Sequence, residues 1–280
     1  NITVTNLPTQ LCEEFMDIVD NKSLRLLNTG GEKLKKFKKK SYEIGNNYGP
    51  TENTVDTTRF IVDKNYDNIP IGKPIYNNRV YILDTFNNLQ PVGVPGELCI
   101  GGSGLARGYL NAPDITEEKF VKNPFESGAR MYKTGDLARW LPDGNIELLG
   151  RIDNQIKLRG FRIEPEEIEK VILQQDTIRA AIVVDYDDSG GQKYLCAYII
   201  SDKEINIRNL KLELSKELPD YMIPLYIIQI DKIPLTINGK VDRKALPVPD
   251  FIDRTVNYIP PETEIQKKLS DIWSEILNIH

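Results

Sequence analysis

Histidine is all but missing from this 280-residue chain, and its one copy is the last residue, His280. That excludes Ser-His and Cys-His nucleophile chemistry and histidine general bases. Cysteine is scarce as well: Cys12, Cys99 and Cys196 are odd in number and far apart. Such spacing supports neither a disulfide framework nor a zinc cluster, and it fits a reducing cytoplasm. No apolar run approaches the roughly 20 residues that cross a bilayer, the best being 180–184, a short buried strand. The start carries no signal-peptide pattern, so the expected location is cytoplasmic, with no membrane partner. A net charge of -5 with both signs mixed speaks against a nucleic-acid partner by bulk charge. With 40% apolar residues the chain can bury a core as one large domain or two small ones.

The densest chemistry lies in residues 131–169, MYKTGDLARWLPDGNIELLGRIDNQIKLRGFRIEPEEIE. Asp143-Gly144 between two apolar stretches predicts a tight hairpin, because Gly accepts positive φ and Asp tolerates it. Asp136, on a Gly turn at the mouth of that hairpin, can accept two hydrogen bonds from a vicinal diol such as ribose. The same spacing also suits a carboxylate that caps its own turn. Gln155, Lys157 and Arg159 alternate as a strand does and share one face. Beside a diol-binding carboxylate that face suggests a nucleotide; its plainer meaning is an edge strand guarded by charge. Glu164-Pro165-Glu166-Glu167 opens a helix with Pro in the first turn and acids near the positive end of the dipole, and Ile168, Val171 and Ile172 form its buried stripe.

Upstream, 1–6 alternates as a strand, 11–19 has helical periodicity, and 24–28 is a second strand running into Thr29-Gly30-Gly31. A chain that opens in a core-like strand is expected to be part of a longer one. Strand, Gly turn and helix is the order in which α/β folds place ligands at strand ends. The run EKLKKFKKK is read as the following helix, with Leu34 and Phe37 inward and the lysines solvated. In YEIGNNYGPTE, Gly49-Pro50 stops a short strand and presents Thr51 and Glu52 from a rigid loop. There Tyr48 offers a flat face for a base, Thr51 a hydroxyl for phosphate and Glu52 a hard oxygen ligand for magnesium, although an ordinary polar turn has the same composition. Gly102, Gly104 and Gly108 are spaced GxGxxxG and run into Ala112-Pro113, which fits a glycine bend in a β layer and not a dinucleotide loop. After 169 come a strand at 178–186, a strand at 194–200 and a helix at 207–218, a compact α+β unit. Asn238-Gly239 is a tight-turn signal that holds Lys240 at a hairpin tip, a place where a lysine is often merely solvated. A Pro-rich linker follows over 247–262, then an amphipathic helix with Ile265, Leu269, Ile272 and Ile276 on one side.

YKTGDLARWLPDGNIELLGRIDNQIKLRGFRIEPEEIE, NNYGPTE, GELCIGGSGLARGY and NGKVDRKAL together resemble the adenylation domains of nonribosomal peptide synthetases. These belong to the adenylate-forming superfamily, with acyl-CoA ligases and luciferases. The resemblance covers essentially the whole chain and implies a fold of α/β plus α+β type. Residues 1–152 would be the C-terminal part of the large adenylation core with a small β-barrel subdomain, and 153–246 a compact, mobile α+β domain. Residues 263–280 would be the first helix of a peptidyl carrier domain. By the same resemblance Tyr48 packs on adenine, Thr51 meets the α-phosphate, Glu52 holds Mg2+, Asp136 holds the ribose hydroxyls, Arg151 contacts ribose and phosphate, and Lys157 lies near the ribose. Asp153 is the hinge, and Lys240 is the catalytic lysine that enters during adenylation.

The activity so implied is formation of aminoacyl-AMP from ATP and an amino acid, then loading of the phosphopantetheine thiol of a carrier domain in cis, among other synthetase domains. The family's Ser/Thr-Lys phosphate loop and amine-anchoring Asp are not among these residues, so the chain alone is expected to be inactive. Aligned on TNLPT, LNTGG and NNYGPTENTVD, the pocket positions fall on Asn6, Leu27, Thr29, Asn47, Val55 and Asp56. Amides, a hydroxyl and a carboxylate there favour a polar amino acid, hydroxylated or cationic, because an aliphatic side chain would leave them unpaired. Two alternatives stay open: an acyl-CoA ligase of the same superfamily, and a non-catalytic nucleotide-binding module.

Overall fold

The structure is a computed structural model that describes residues 2–187, 193–236, 241–249 and 260–277. By backbone contacts the chain forms two units, Asn1–Ile233 and Pro234–His280. The first opens with strand β1 (Val4–Pro8), helix α1 (Thr9–Ile18), and strands β2 (Leu26–Gly30), β3 (Glu43–Tyr48), β4 (Thr58–Val62) and β5 (Lys73–Pro74). They make one sheet in the order β1-β2-β3-β4-β5. The first three strands run parallel, β4 returns antiparallel to β3, and β5 pairs antiparallel with β4. Cys12 and Met16 of α1 pack with Leu27, Leu34, Tyr42 and Ile44 beneath it.

Residues 32–40 form no helix, contrary to the expectation for EKLKKFKKK. A helix would set Lys35 against Lys39 and Lys36 against Lys40 at i,i+4, where like charges destabilise it. The segment instead lies irregularly over the core. Leu34 is buried, Phe37 packs on the same cluster, and the Lys35 and Lys36 amides donate to Glu13 Oε1 at 2.7 and 3.2 Å.

A second, antiparallel sheet takes β6 (Asn78–Leu83), β7 (Gly96–Gly102), β8 (Phe120–Lys122), β9 (Arg130–Trp140) and β10 (Ile146–Arg151), with helix α2 (Pro113–Lys119) between β7 and β8. The order is β10-β9-β7-β6, and β8 also pairs with β9. Asp143-Gly144 does close the β9–β10 hairpin: Leu141 and Asn145 are joined across it, and Asp143 Oδ1 accepts the Asn145 amide at 3.0 Å. The two sheets meet where the Ile71 amide donates to the Ile146 carbonyl and the Ile146 amide donates to the Gly72 carbonyl, each at 2.8 Å.

Beyond Arg151 comes a short hairpin, β11 (Ile156–Leu158) and β12 (Phe161–Ile163). Its turn corrects the reading of Gln155, Lys157 and Arg159 as one strand face. Arg159 has φ +52° and leaves the strand, because it and Gly160 make the two-residue reversal. Helix α3 (Pro165–Ile172) starts at the expected proline, and strands β13 (Ile178–Asp187), β14 (Lys193–Ser201) and β15 (Tyr226–Gln229) form a three-stranded sheet with helix α4 (Ile207–Glu217). Ile168 and Ile172 of α3 and Leu210 and Leu214 of α4 pack on Val183, Leu195 and Ala197, a cluster whose members all fall between Ile156 and Ile227. These residues therefore bury an apolar core distinct from that of the first sheet.

In the unit Pro234–His280, Leu235 and Val241 pair as an antiparallel bridge, Asp242 caps a short turn over Arg243–Ala245, and helix α5 spans Glu264–Leu277. The Asn238-Gly239 turn and Lys240 lie outside the described residues, as does most of the Pro-rich stretch. No helix among the described residues is long and apolar enough to cross a membrane.

Candidate functional site

A cleft of about 810 Å³ is lined by Asn47, Tyr48 and Thr51 from the end of β3 and the following loop, by Asp136 and Arg151 from β9 and β10, and by Lys157 from β11. The Gly49-Pro50 stop is sterically required. A Cβ on Gly49 would lie 2.0 Å from the Val55 carbonyl oxygen, so only glycine lets the 49–57 loop fold back on β3. That fold-back fixes Tyr48 at the strand end and starts the single turn Thr51–Asn53.

Four of the predicted residues are joined directly. The Tyr48 hydroxyl donates to Asp136 Oδ2 at 2.6 Å, and Arg151 Nη1 donates to Asp136 Oδ1 at 2.7 Å. The same guanidinium reaches the predicted hinge, with Nε and Nη2 donating to Asp153 Oδ1 and Oδ2, each at 2.6 Å, and Nη2 also bonding the Thr134 carbonyl at 3.0 Å. Gly135 makes room for this fork. It has φ +71°, and a Cβ there would stand 2.4 Å from Asp153 Oδ2. Burial, then the adjoining Asp136 carboxylate, raises the Tyr48 phenol well above its ordinary pKa, so it stays a donor. Each Asp136 oxygen keeps a second lone pair, which leaves capacity for a diol. Lys157 Nζ stands 5.5 Å from the centre of the Tyr48 ring, a cation–π approach over the face that a base would use.

Glu52 is differently placed. It is buried at 6% exposure, and its Oε1 accepts from Tyr109 at 2.5 Å, Tyr132 at 2.8 Å and Arg162 Nη1 at 2.7 Å, while Oε2 takes the same Nη1 at 2.8 Å. As arranged, this carboxylate does not fit a magnesium ligand: a cation already faces it, and three donors meet one of its oxygens. Among the described residues no group of three or more His, Cys, Asp or Glu is placed to hold a metal. Tyr109 and Tyr132 were not singled out in the sequence, and Arg162 stood only as one of a row of cations with no role of its own, although LARGY, MYKTGD and RGFRIE all stand inside the quoted motifs. The partners of Glu52 lie 57 to 110 residues away along the chain, beyond any local periodicity.

Of the predicted pocket positions, Asn47 and Asp56 meet, with Asn47 Nδ2 donating to Asp56 Oδ2 at 2.9 Å and Arg59 Nε donating to Asn47 Oδ1 at 3.1 Å. Leu27 is fully buried, and the Thr29 hydroxyl bonds that of Thr9 at 3.4 Å. Asn6 and Val55 are exposed, and neither lines the cleft.

Burial alone would raise the Glu52 carboxyl, but the Tyr109 hydroxyl, the Arg162 charge and the Tyr132 hydroxyl outweigh it and hold it below the ordinary value of 4.5. Asp153 is likewise lowered from 3.8, burial being overcome by the bond and charge of Arg151. A carboxyl lowered in the fold adds stability that is complete above its unfolded value and is lost as pH falls through the folded one. Denaturant midpoints measured from about pH 6 down to about pH 3 are therefore expected to fall, with a shallower slope for Glu52→Gln. Equal slopes for both proteins would contradict this.

The family models for AMP-binding enzyme and for the AMP-binding enzyme C-terminal domain match residues 1–110 and 167–240 respectively. The chain is 54% identical to bacitracin synthase 1 of Bacillus licheniformis, over 100% of its own length and 5% of that protein. Against gramicidin S synthase 2 of Brevibacillus brevis the identity is 52%, over 92% of the chain and 6% of the relative. It thus spans only about a twentieth of the curated relatives it matches. Among solved structures it superposes on holo-PA1221, an NRPS protein containing adenylation and PCP domains, with TM-score 0.74 and 28% identity over 98% of the chain and 48% of that structure. With both models matched in chain order and relatives above 50% identical across the chain, the chain belongs to the adenylate-forming AMP-binding enzymes, among which it is an adenylation-domain segment of the nonribosomal peptide synthetase type.

Proposed function

We propose that this chain supplies the nucleoside grip and the mobile small domain of an amino-acid adenylation domain. In the first half-reaction an amino-acid carboxylate oxygen attacks the α-phosphorus of ATP, the bond to the β-phosphate breaks, and pyrophosphate leaves. In the second, a carrier phosphopantetheine thiol attacks the aminoacyl carbonyl, its proton is lost, and AMP departs. Two anions must meet in the first step, so neutralising charge matters more than moving protons. Asp136 holds the ribose hydroxyls, Tyr48 the base, Thr51 and Arg151 the phosphate side, and Lys157 lies at the ribose. Lys240 brings one ammonium group to the reacting anions. The antiparallel β6–β10 sheet is read as the small β-barrel subdomain, 153–246 as the domain that swings about Asp153, and 263–280 as the first helix of the carrier domain in cis.

One observation carries this reading: the joining of Tyr48, Asp136 and Arg151 across the cleft edge, from three strands and two distant motifs. A base-sized ring, a diol acceptor and a phosphate-seeking guanidinium in one bonded set suit a nucleotide and little else. The substrate is read as a polar amino acid, because Asn47, Asp56 and Arg59 keep hydrogen-bonding capacity beyond the bonds they make with one another, which a polar side chain could use and an aliphatic one could not.

The test is ATP/pyrophosphate exchange by the full-length protein across a panel of amino acids and carboxylic acids. Exchange that depends on a polar amino acid is expected. Exchange with carboxylic acids and transfer to free coenzyme A would instead make the protein an acyl-CoA ligase, and ATP binding without any exchange would make it a non-catalytic module.

A further inference from the structure

The glycine-rich stretch GGSGLARGY takes no part in the nucleotide grip, yet it leans on the loop that carries Thr51. Its residues 103–109 connect β7 to α2, and three bonds join them to the turn Thr51–Asn53 and the residue after it. The Ala106 amide donates to the Glu52 carbonyl at 2.8 Å, the Thr54 hydroxyl donates to the Gly104 carbonyl at 2.8 Å, and the Tyr109 hydroxyl holds the Glu52 side chain. The approach is close enough to call for glycine, since a Cβ on Gly104 would stand 3.0 Å from Asn53 Oδ1. On its other side the 103–109 loop is tied to β9. Arg130, the first residue of that strand, donates from Nη1 to the Arg107 carbonyl at 2.9 Å and from Nη2 to the Ala106 carbonyl at 3.1 Å.

Thr54 is the strained point of this contact. It has φ +70° and ψ −81°, a costly conformation for a β-branched residue, and one that persists only where the surroundings impose it. The reversal there brings Val55 back over Gly49 and lets the Thr57 amide reach the Tyr48 carbonyl at 2.7 Å. Thr51, exposed on the cleft, takes its place from that closure. We infer that the 103–109 loop braces the turn that presents Thr51 to the phosphate, with Thr54 and Arg130 as positioning residues that act on the nucleotide through the Thr51 hydroxyl. The inference rests on the reading above in which Thr51 meets the α-phosphate. Without the Thr54–Gly104 bond the turn is free to relax its strained residue and carry Thr51 with it. A hydrogen bond is short and directional, so a small displacement forfeits it. Tyr48 and Asp136 sit on strands and are held by each other, so the nucleoside grip does not follow.

The experiment titrates the full-length protein calorimetrically with AMP and with adenosine, which differ only in the phosphate. Thr54→Val keeps the branched shape and removes the donor. It is expected to bind AMP about tenfold more weakly than the wild type, the range of one hydrogen bond to a charged group, and adenosine equally well. Thr54→Ser, which restores the donor, is expected to recover most of that loss. Arg130→Gln, outside the turn, is expected to weaken AMP binding by a smaller factor, and it carries the test should Thr54→Val not fold. In Thr51→Val, which lacks the hydroxyl that the brace positions, neither change is expected to weaken AMP binding further. Equal losses for AMP and adenosine, effects that add in full to that of Thr51→Val, or AMP binding untouched by Thr54→Val or by Arg130→Gln would overturn the brace while leaving the nucleotide reading intact. AMP binding unchanged by Thr51→Val would overturn both the brace and the placing of Thr51 at the α-phosphate.

Discussion

Asp136→Ala is expected to weaken ATP binding by about a hundredfold in the full-length protein, because two hydrogen bonds from ribose to a charged acceptor contribute roughly 1.5 kcal/mol each. The residue is 4% exposed and already serves two partners, so the loss extends to stability. Removing it leaves the Tyr48 hydroxyl buried without its acceptor, a cost of about 1–3 kcal/mol. Arg151 suffers less, since Asp153 and the Thr134 carbonyl still hold its fork. Asp136→Asn separates the two effects. An amide keeps the shape, and its one oxygen can still accept from Tyr48 although its NH2 then faces Arg151 Nη1, so it is expected to retain more of the stability than alanine while losing much of the nucleotide affinity. Calorimetric titration with ATP and a denaturant melt on the same samples would check both, and undiminished ATP binding by Asp136→Ala would contradict the grip.

The second large effect belongs to Lys240. Lys240→Ala in the full-length protein is expected to lower amino-acid-dependent ATP/pyrophosphate exchange by about 10²–10³, the usual consequence of removing one preorganised charge from a developing anionic centre. Transfer from preformed aminoacyl-AMP to the carrier thiol is expected to stay largely intact, because in the proposed cycle the small domain would by then have turned and withdrawn the lysine. Single-turnover assays of the two half-reactions separate these outcomes. An equal loss in both would show that Lys240 supports the fold or the nucleotide generally and has no step of its own.

Those two residues also mark what a sequence can carry. The hairpin that joins the TGD turn to the GRID corner was legible because its chemistry is local: a tight Asp143-Gly144 reversal sets Asp136 opposite Arg151, with the two paired in register on β9 and β10. Gly49-Pro50 was legible for the same reason, and so was the helix at Pro165. The lysine run was misread because two apolar residues three apart suit a helix equally well as an irregular strap, and only the repulsion among its lysines argued the other way. Arg159 was misread because alternation continues past Leu158 in the letters, while the backbone reverses at Arg159-Gly160. The Arg162–Glu52 pair could not be seen at all. It joins residues 110 apart, on elements whose meeting depends on how the hairpin beyond Asp153 is turned.

The most direct measurement is a binding cycle comparing ATP with 2′,3′-dideoxy-ATP on the wild type and on Asp136→Ala. A carboxylate that grips the ribose diol predicts about a hundredfold loss for the dideoxy nucleotide on the wild type and almost none on the variant. Equal affinity of the wild type for the two nucleotides, or the same loss on both proteins, would contradict it.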